Sequence, residues 1–66
     1  MPMVDCSEKL KALREARGFT QLQVANRIGV SKAMISAYET ASKAPSIEVL
    51  MRLSQLFYVS IDYLVC

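Results

Sequence analysis

The chain has 66 residues, of which 53% are hydrophobic, and its net charge is +2. This length suits one small domain spanning residues 1–66, and the hydrophobic content suffices for a packed core, which argues against a disordered chain. The mild positive charge neither requires nor excludes nucleic acid, but seven of the eight Lys and Arg residues precede Pro45, so the first part of the chain is basic enough to attract phosphate.

The first predicted helix runs from Asp5 or Ser7 to Arg17. Asp5 and Glu8 carry negative charge where a helix N-terminus is positively polarised, and Gly18 ends the helix. The helical spacing of apolar side chains predicts an inward stripe formed by Cys6, Leu10, Leu13 and either Ala16 or Arg17.

The second predicted helix begins at Gln21. Thr20 precedes it as an N-cap, and Gln23 completes a Thr-x-x-Gln capping box. Phe19 lies just before the cap, where an apolar side chain can pack against Val24 as a staple.

A turn at Gly29 joins the second helix to a third one, predicted over Ser31–Glu39. Gly29 can adopt the left-handed conformation that ends a helix sharply, and Ser31 is a good N-cap. Val30 is expected to enter the core. The inward faces of the two helices are predicted to carry Val24, Ala25, Ile28, Ile35 and Tyr38. This arrangement over about 21–40 predicts a DNA-binding helix-turn-helix.

A loop over 40–45 leads to a fourth helix that Ser46 caps. Its predicted inward residues are Ile47, Leu50, Leu53 or Ser54, and Phe57. Ser60 starts a last short helix, IDYLVC, with Asp62 in its first turn. No segment reads as a strand with a turn partner, so the fold class is all-α, a compact bundle of five short helices.

The two cysteines, Cys6 and Cys66, lie at opposite ends of the sequence. The sequence does not decide whether they form a disulfide. It favours a small buried side chain at Cys6 and a free thiol at the terminal Cys66. The chain has no His and no CxxC pair, so no metal site and no cofactor are expected.

The sequence shows no pattern of an enzyme or of a membrane protein. It contains no nucleophile motif and no Gly-rich phosphate loop, and its carboxylates have no spacing that suggests an acid–base pair. It has neither a signal-peptide pattern nor an apolar run of about 20 residues. We therefore expect a cytoplasmic protein without catalytic activity.

The chain from about Ser7 to Val65 resembles the phage-repressor and Cro-like helix-turn-helix family, also called the xenobiotic-response-element family, in the segments LKALREARGFTQ, VANRIGVSKAMISAYE, APSIEVLMRLSQLF and VSIDYL. The resemblance implies a lambda-repressor-like DNA-binding domain of five helices. It also implies a homodimer that binds a palindromic operator in double-stranded DNA and regulates transcription.

The resemblance assigns roles to three residues around the second helix. Gln21 matches a glutamine that contacts a phosphate, and the donors of a helix N-terminus favour an anion there. Arg14 and Glu39 match a charge pair that joins the first helix to the end of the third. In the family, the guanidinium at Arg14 also points toward the DNA backbone.

The positions that match base-reading residues are Lys32, Ala33, Ser36 and Ala37. Lys32 could reach either guanine or a phosphate, and Ser36 discriminates poorly between bases. Ala33 and Ala37 offer methyl groups, which can pack on thymine methyls. Either part of the specificity comes from DNA shape, or the affinity is modest.

After the third helix, the loop carries Ser42 and Lys43 where the family contacts a phosphate strand. Ala41 stands at the family's glycine position, and a positive φ there would cost on the order of 1 kcal/mol. For two further basic residues, Arg17 and Arg27, the sequence leaves two roles equally open: general electrostatic attraction to DNA, or charge that keeps the protein soluble.

The C-terminal segment 57–66 is the predicted dimer contact, since it is more apolar than one short helix can bury. Ile61 and Leu64 are assigned mainly to the core. Tyr58, Tyr63 and Val65 remain for the contact with a second copy.

The function that these patterns favour is sequence-specific DNA binding by a homodimeric transcriptional regulator, a repressor with helix 31–39 in the major groove. The alternative is a helix-turn-helix that binds another protein, as an interaction module or an antitoxin-type partner. Leu22, which lies outside the inward stripe of its helix, or the C-terminal tail would then contact that partner.

Overall fold

The computed structural model describes residues 6–65, and within them the chain forms five α-helices and no strand. This confirms the all-α fold class. Helix α3 packs against α2 and α1, α4 packs against α2, and α5 packs against α4. The helices span α1 Ser7–Ala16, α2 Gln21–Ile28, α3 Lys32–Glu39, α4 Ile47–Phe57 and α5 Ile61–Val65.

Four of the helices begin at hydroxyl N-caps, as the sequence predicts. Each cap oxygen accepts a hydrogen bond from a backbone N–H three residues on, which satisfies a donor that a helix start leaves without a partner. The capping box at the start of α2 is complete. The cap pairs are Thr20 with Gln23 (3.0 Å), Ser31 with Met34 (3.1 Å), Ser46 with Val49 (3.2 Å) and Ser60 with Tyr63 (3.0 Å).

The helix ends are marked by left-handed residues. Gly18 and Gly29 have φ values of 70° and 78°, and Gly29 ends α2 as predicted. Ala41 and Tyr58 also have positive φ, 61° and 56°, although both carry a Cβ. Helices α3 and α4 are thus followed by a backbone conformation that favours glycine, although neither has a glycine there.

One hydrophobic core joins all five helices. Val30 and Ile61 are partly buried against it, and Cys6 is buried as expected. The predicted start at Asp5 and the prediction for Cys66 lie outside the described residues. The buried apolar residues are Cys6, Leu10, Val24, Ala25, Ile28, Ile35, Tyr38, Leu50, Leu53, Phe57 and Leu64.

The inward face of α4 was predicted incorrectly at Ile47, which is 65% exposed. At 3.6 residues per turn, Ile47 lies about 90° from the mean direction of Leu50, Leu53 and Phe57. It is also the first helical residue, so no preceding turn covers it. Ile47 therefore belongs to the outer surface.

The inward stripe of α1 ends one turn earlier than predicted. Leu13 is half-buried against the core, whereas Ala16 and Arg17 are exposed. Ala16 lies toward the side of the helix, and Arg17 is the C-cap, outside the helix.

None of the helices within residues 6–65 has both the length and the apolarity to cross a membrane.

Candidate nucleic-acid interface

The turn between α2 and α3 fixes where the outer face of α3 points. The N–H groups of Gly29 and Val30 both donate to the Ala25 carbonyl, at 2.9 and 3.0 Å. Ile35 and Tyr38 anchor α3 in the core, and burial raises the pKa of the Tyr38 hydroxyl. The helix is held from one side only, so its other side faces outward.

The outer face of α3 carries the four residues that were predicted to read bases. Lys32 and Ala33 are exposed, and Ser36 and Ala37 follow one turn later, half-buried. The face therefore combines one long cation, one hydroxyl and two methyl groups. A helix of eight residues is about 12 Å long, which matches a major groove about 12 Å wide.

Arg14 and Glu39 form a two-point ion pair between α1 and the last residue of α3. Arg14 Nε donates to Glu39 Oε2 at 2.6 Å, and Nη2 donates to Oε1 at 3.0 Å. Only 12% of the Arg14 side chain and 3% of the Glu39 side chain are exposed. The hydrogen bond to Glu39 raises the pKa of Arg14, partly offset by burial, and the charges of Glu39 and Glu15 raise it further. The pair therefore fixes the end of α3 against α1.

The third nitrogen of Arg14 is also engaged within the protein. Nη1 donates to the Phe19 carbonyl at 2.8 Å, just before the cap of α2. All three guanidinium nitrogens thus hold protein oxygens. A phosphate can reach Arg14 only through the remaining Nη hydrogens, so the phosphate contact of Arg14 stays a prediction.

Gln21 makes a contact that sequence reasoning missed. It is the first residue of α2, and its Nε2 donates to Glu39 Oε1 at 3.1 Å. The two residues are 18 positions apart in the sequence, and no local pattern links them. Gln21 therefore bridges the two helices of the motif.

The loop after α3 is held mainly by its own hydrogen bonds. The N–H groups of Ser42 and Lys43 donate to the Ala37 carbonyl, at 2.9 and 3.3 Å. The Thr40 and Ser42 hydroxyls lie 3.0 Å apart. Ser42 and Lys43 are both exposed, so the loop presents one hydroxyl and one cation to the solvent.

Two of the arginines have structural partners. Arg17 Nη2 donates to the Phe57 carbonyl at the end of α4, at 2.9 Å. The Arg27 guanidinium lies 5.2 Å from the centroid of the Phe19 ring. The sequence left both roles open, and the structure assigns at least Arg17 to helix capping.

The residues predicted for the dimer contact differ in exposure. Tyr58 is 86% exposed and Tyr63 is 49% exposed, whereas Val65 is half-buried against the core. The outer face of α4 adds Ile47 and Met51, which are 65% and 48% exposed. Sequence reasoning missed these two because it assigned Ile47 to the core and did not consider Met51.

Within residues 6–65, no cluster of three or more His, Cys, Asp or Glu side chains could hold a metal ion.

Comparison with known proteins gives a family and a fold. The model of the helix-turn-helix family matches residues 10–64. The chain is 39% identical over 57 residues to the uncharacterized HTH-type transcriptional regulator YobD of Bacillus subtilis. The matched region covers 86% of this chain and 51% of YobD. It is 39% identical over 59 residues to RstR, the cryptic phage CTXphi transcriptional repressor of Vibrio cholerae, covering 89% of this chain and 53% of RstR. The chain thus spans about half the length of these two relatives.

Among solved structures, the fold is similar to that of the P22 c2 repressor in a crystal with a synthetic operator. The TM-score is 0.87 at 32% sequence identity, and the match covers 91% of both chains.

Proposed function

The chain belongs to the helix-turn-helix family of DNA-binding transcriptional regulators, and on that premise we propose that it binds an operator in double-stranded DNA and represses transcription. The observation that carries the proposal is the outer face of α3, which stands clear of the core while Ile35 and Tyr38 anchor the helix from behind. A major groove accepts a helix presented in this way.

Base reading falls to the residues of that outer face. Lys32 is its one long donor, and a guanine O6 or N7 is the acceptor that suits it. Ser36 adds a hydroxyl, and Ala33 and Ala37 add methyl groups that pack on thymine. Because only one long polar side chain is present, we propose that DNA shape supplies part of the specificity.

Phosphate contacts are proposed on both sides of α3, the helix proposed to enter the major groove and called the recognition helix below. Gln21 offers its amide and the free backbone N–H groups of the start of α2, which carry partial positive charge. Ser42 and Lys43 offer a hydroxyl and a cation from the loop. Arg14 contributes through its remaining Nη hydrogens and mainly holds Glu39 in place.

A second copy of the chain is proposed to dock on the C-terminal side of the molecule. Tyr58, Tyr63 and Val65 are the predicted contacts, and we propose that the exposed Ile47 and Met51 of α4 join them. A two-fold dimer would place two recognition helices about 34 Å apart, on a palindromic operator. Bound near a promoter, such a dimer would block the polymerase.

The test of this function is selection of bound fragments from a pool of random DNA duplexes at moderate salt. Enrichment of a palindrome with half-sites about one helical turn apart supports an operator-binding dimer. Its affinity should fall steeply as salt rises, because bound phosphates release counterions.

A protein partner is the second candidate, which the 52% exposure of Leu22 on α2 favours. Failure to enrich any duplex, together with no salt-dependent retention of the pool, would reject DNA binding in favour of this candidate.

Replacing Lys32 by Ala tests the base-reading assignment. We expect preference to be lost mainly at one base pair of each half-site, by about 1–3 kcal/mol, since a base contact discriminates by that amount. The measurement is binding to the selected operator and to its single-base variants. Lys11→Ala, which removes an exposed lysine of α1, is the charge-matched control. Equal weakening on every sequence would identify Lys32 as a phosphate contact instead.

A further inference from the structure

Side chains from α1 and α2 meet at the carboxylate of Glu39, the last residue of α3. Arg14 of α1 supplies two hydrogen bonds, at 2.6 and 3.0 Å. Gln21 of α2 supplies another, from Nε2 to Oε1 at 3.1 Å. Oε1 therefore accepts from α1 and from α2 at once, while Glu39 itself ends α3.

The burial of Glu39 makes each of these donors matter. A carboxylate that is 3% exposed has lost nearly all its water, and its charge must be compensated by hydrogen bonds. Arg14 also reaches the Phe19 carbonyl just before α2, but the bond from Gln21 is the direct side-chain link between this buried charge and the first residue of α2.

Glu39 in turn fixes the orientation of the Gln21 amide. A carboxylate oxygen accepts only from the NH₂ group, so the amide carbonyl must point elsewhere. The second hydrogen on Nε2 is thereby directed as well, and it remains for an acceptor outside the protein.

We propose that Gln21 is a positioning residue, which acts through Glu39 to set the angle between the start of α2 and the end of α3. That angle determines how Lys32 and Ser36 enter the groove. The inference rests on the proposed DNA-binding function and goes beyond a phosphate contact. A residue that only contacted phosphate would affect neither stability without DNA nor base preference.

The first experiment measures urea unfolding of the 66-residue chain without DNA. Gln21→Met keeps the length of the side chain and removes the donor. We expect the equilibrium constant for folding to fall about tenfold, near the low end for a hydrogen bond to a charged group, because Gln21 is only half-buried. Gln55→Met, at an exposed glutamine of α4, is the matched control and should change it little. Equal stability of Gln21→Met and the parent chain would overturn the proposal.

A pH profile of Gln21→Glu separates a hydrogen bond from a general packing effect. The charged groups around this position are Arg14 of α1, Glu39 of α3, and Glu15 beside Arg14. When ionised, Glu at position 21 repels Glu39, and when protonated its hydroxyl donates to Glu39 as the Gln21 amide does. Its pKa in the folded chain should therefore be raised above the unfolded value of about 4.3.

The sign of the profile follows from that shift. The stability that protonation restores is present below the unfolded pKa and is lost as the pH rises through the raised folded pKa. The deficit of Gln21→Glu relative to the parent chain should therefore be largest at pH 8 and shrink toward pH 5. Attraction of an ionised Glu to the start of α2 and to Arg14 acts in the opposite direction, but Arg14 is already paired with Glu39 at two points. A deficit that is constant or grows on acidification would contradict the proposal.

The last experiment uses DNA and keeps the two hypotheses apart. On the selected operator and its single-base variants, Gln21→Met should weaken binding unequally, with the largest change at the bases opposite Lys32 and Ser36. Equal weakening on all sequences would leave Gln21 as a phosphate contact alone and overturn the positioning role. Failure of the parent chain to bind any duplex would instead reject the proposed function, while the measurements without DNA would still stand.

Discussion

Ala41 adopts a conformation that its side chain disfavours. It follows α3 with a φ of 61°, and the N–H of Ser42 donates to the Ala37 carbonyl at 2.9 Å. The Ala41 N–H donates to the Tyr38 carbonyl at 3.4 Å, so the helix ends in a Schellman motif. The left-handed form of an L-residue costs roughly 1–2 kcal/mol, because the Cβ crowds the following carbonyl.

Ala41→Gly should therefore stabilise the chain. The relief of strain exceeds the extra backbone entropy that glycine loses on folding, so we expect a gain of about 0.5–1 kcal/mol in the free energy of unfolding. Urea unfolding measures it. Ala44→Gly, in the same loop and without positive φ, is the control and should be neutral or slightly destabilising. A loss of stability in Ala41→Gly would show that the turn carries no strain.

At the scale of single residues, the sequence predicts what short-range chemistry decides. The cap at Thr20 and the turn at Gly29 each depend on neighbours within four positions, so their roles can be read directly. The bond from Gln21 to Glu39 joins residues 18 positions apart, and only the packing of α2 on α3 brings them together. Long-range partners of polar side chains cannot be derived from local spacing.

Basic side chains from elsewhere in the chain donate to backbone carbonyls near the ends of three helices. The C-terminal end of a helix carries partial negative charge and carbonyls without intrahelical partners, which Lys and Arg side chains satisfy. The pairs are Arg52 with the Ile28 carbonyl (2.8 Å), Arg17 with the Phe57 carbonyl (2.9 Å) and Lys9 with the Tyr63 carbonyl (2.7 Å).

Arg52 makes the clearest of these contacts. Its Nη1 crosses from α4 to the end of α2, and its Nη2 donates to Glu48 at 3.1 Å. A Cβ on Gly29 would lie 3.2 Å from Nη1, so the glycine also leaves room for the guanidinium.

Arg52→Met should destabilise the chain by about 1 kcal/mol, since it keeps the aliphatic stem and removes both the hydrogen bond to the end of α2 and the exposed pair with Glu48. The side chain is 47% exposed, which keeps the expected loss near the low end for a charged donor. Thermal or urea unfolding measures it, with Lys11→Met as a control for the lost charge. If both variants lose equal stability, the contact with Ile28 contributes nothing specific.

At the scale of helices, the start points follow from the sequence because Thr20, Ser31 and Ser46 are strong N-caps. The buried face of a helix can also be predicted from the sequence where several apolar residues lie on the same side of the helix. Ile47 was placed wrongly because it is the first residue of α4, where helical spacing alone does not show whether another element covers the side chain.

At the scale of the whole molecule, several large apolar side chains of α4 and the segment after it are exposed, among them Ile47, Met51, Tyr58 and Tyr63. Tyr58 is 86% exposed and has a φ of 56°, so its backbone is strained while its ring buries little. Its ring contact is the Arg17 guanidinium, 5.8 Å from the centroid. Gly or Asn at this position would relieve the strain. The interface role of Tyr58 was proposed from the sequence and stays a prediction, whereas the exposure of Ile47 and Met51 became visible only with the fold.

Tyr58→Asn should change folding and association in opposite directions. Asn tolerates the left-handed conformation, so the monomer should gain about 0.5 kcal/mol. A tyrosine at the centre of an interface contributes strongly to affinity, so the proposed dimer should dissociate about tenfold to a hundredfold more readily. Sedimentation equilibrium measures the association, and urea unfolding at concentrations below the dissociation constant measures the monomer. Met51→Gln, which leaves the backbone conformation unchanged, should weaken the dimer without stabilising the monomer. If Tyr58→Asn stabilises the monomer and leaves association unchanged, the second copy does not dock at Tyr58, and the dimer contact must lie elsewhere on the molecule.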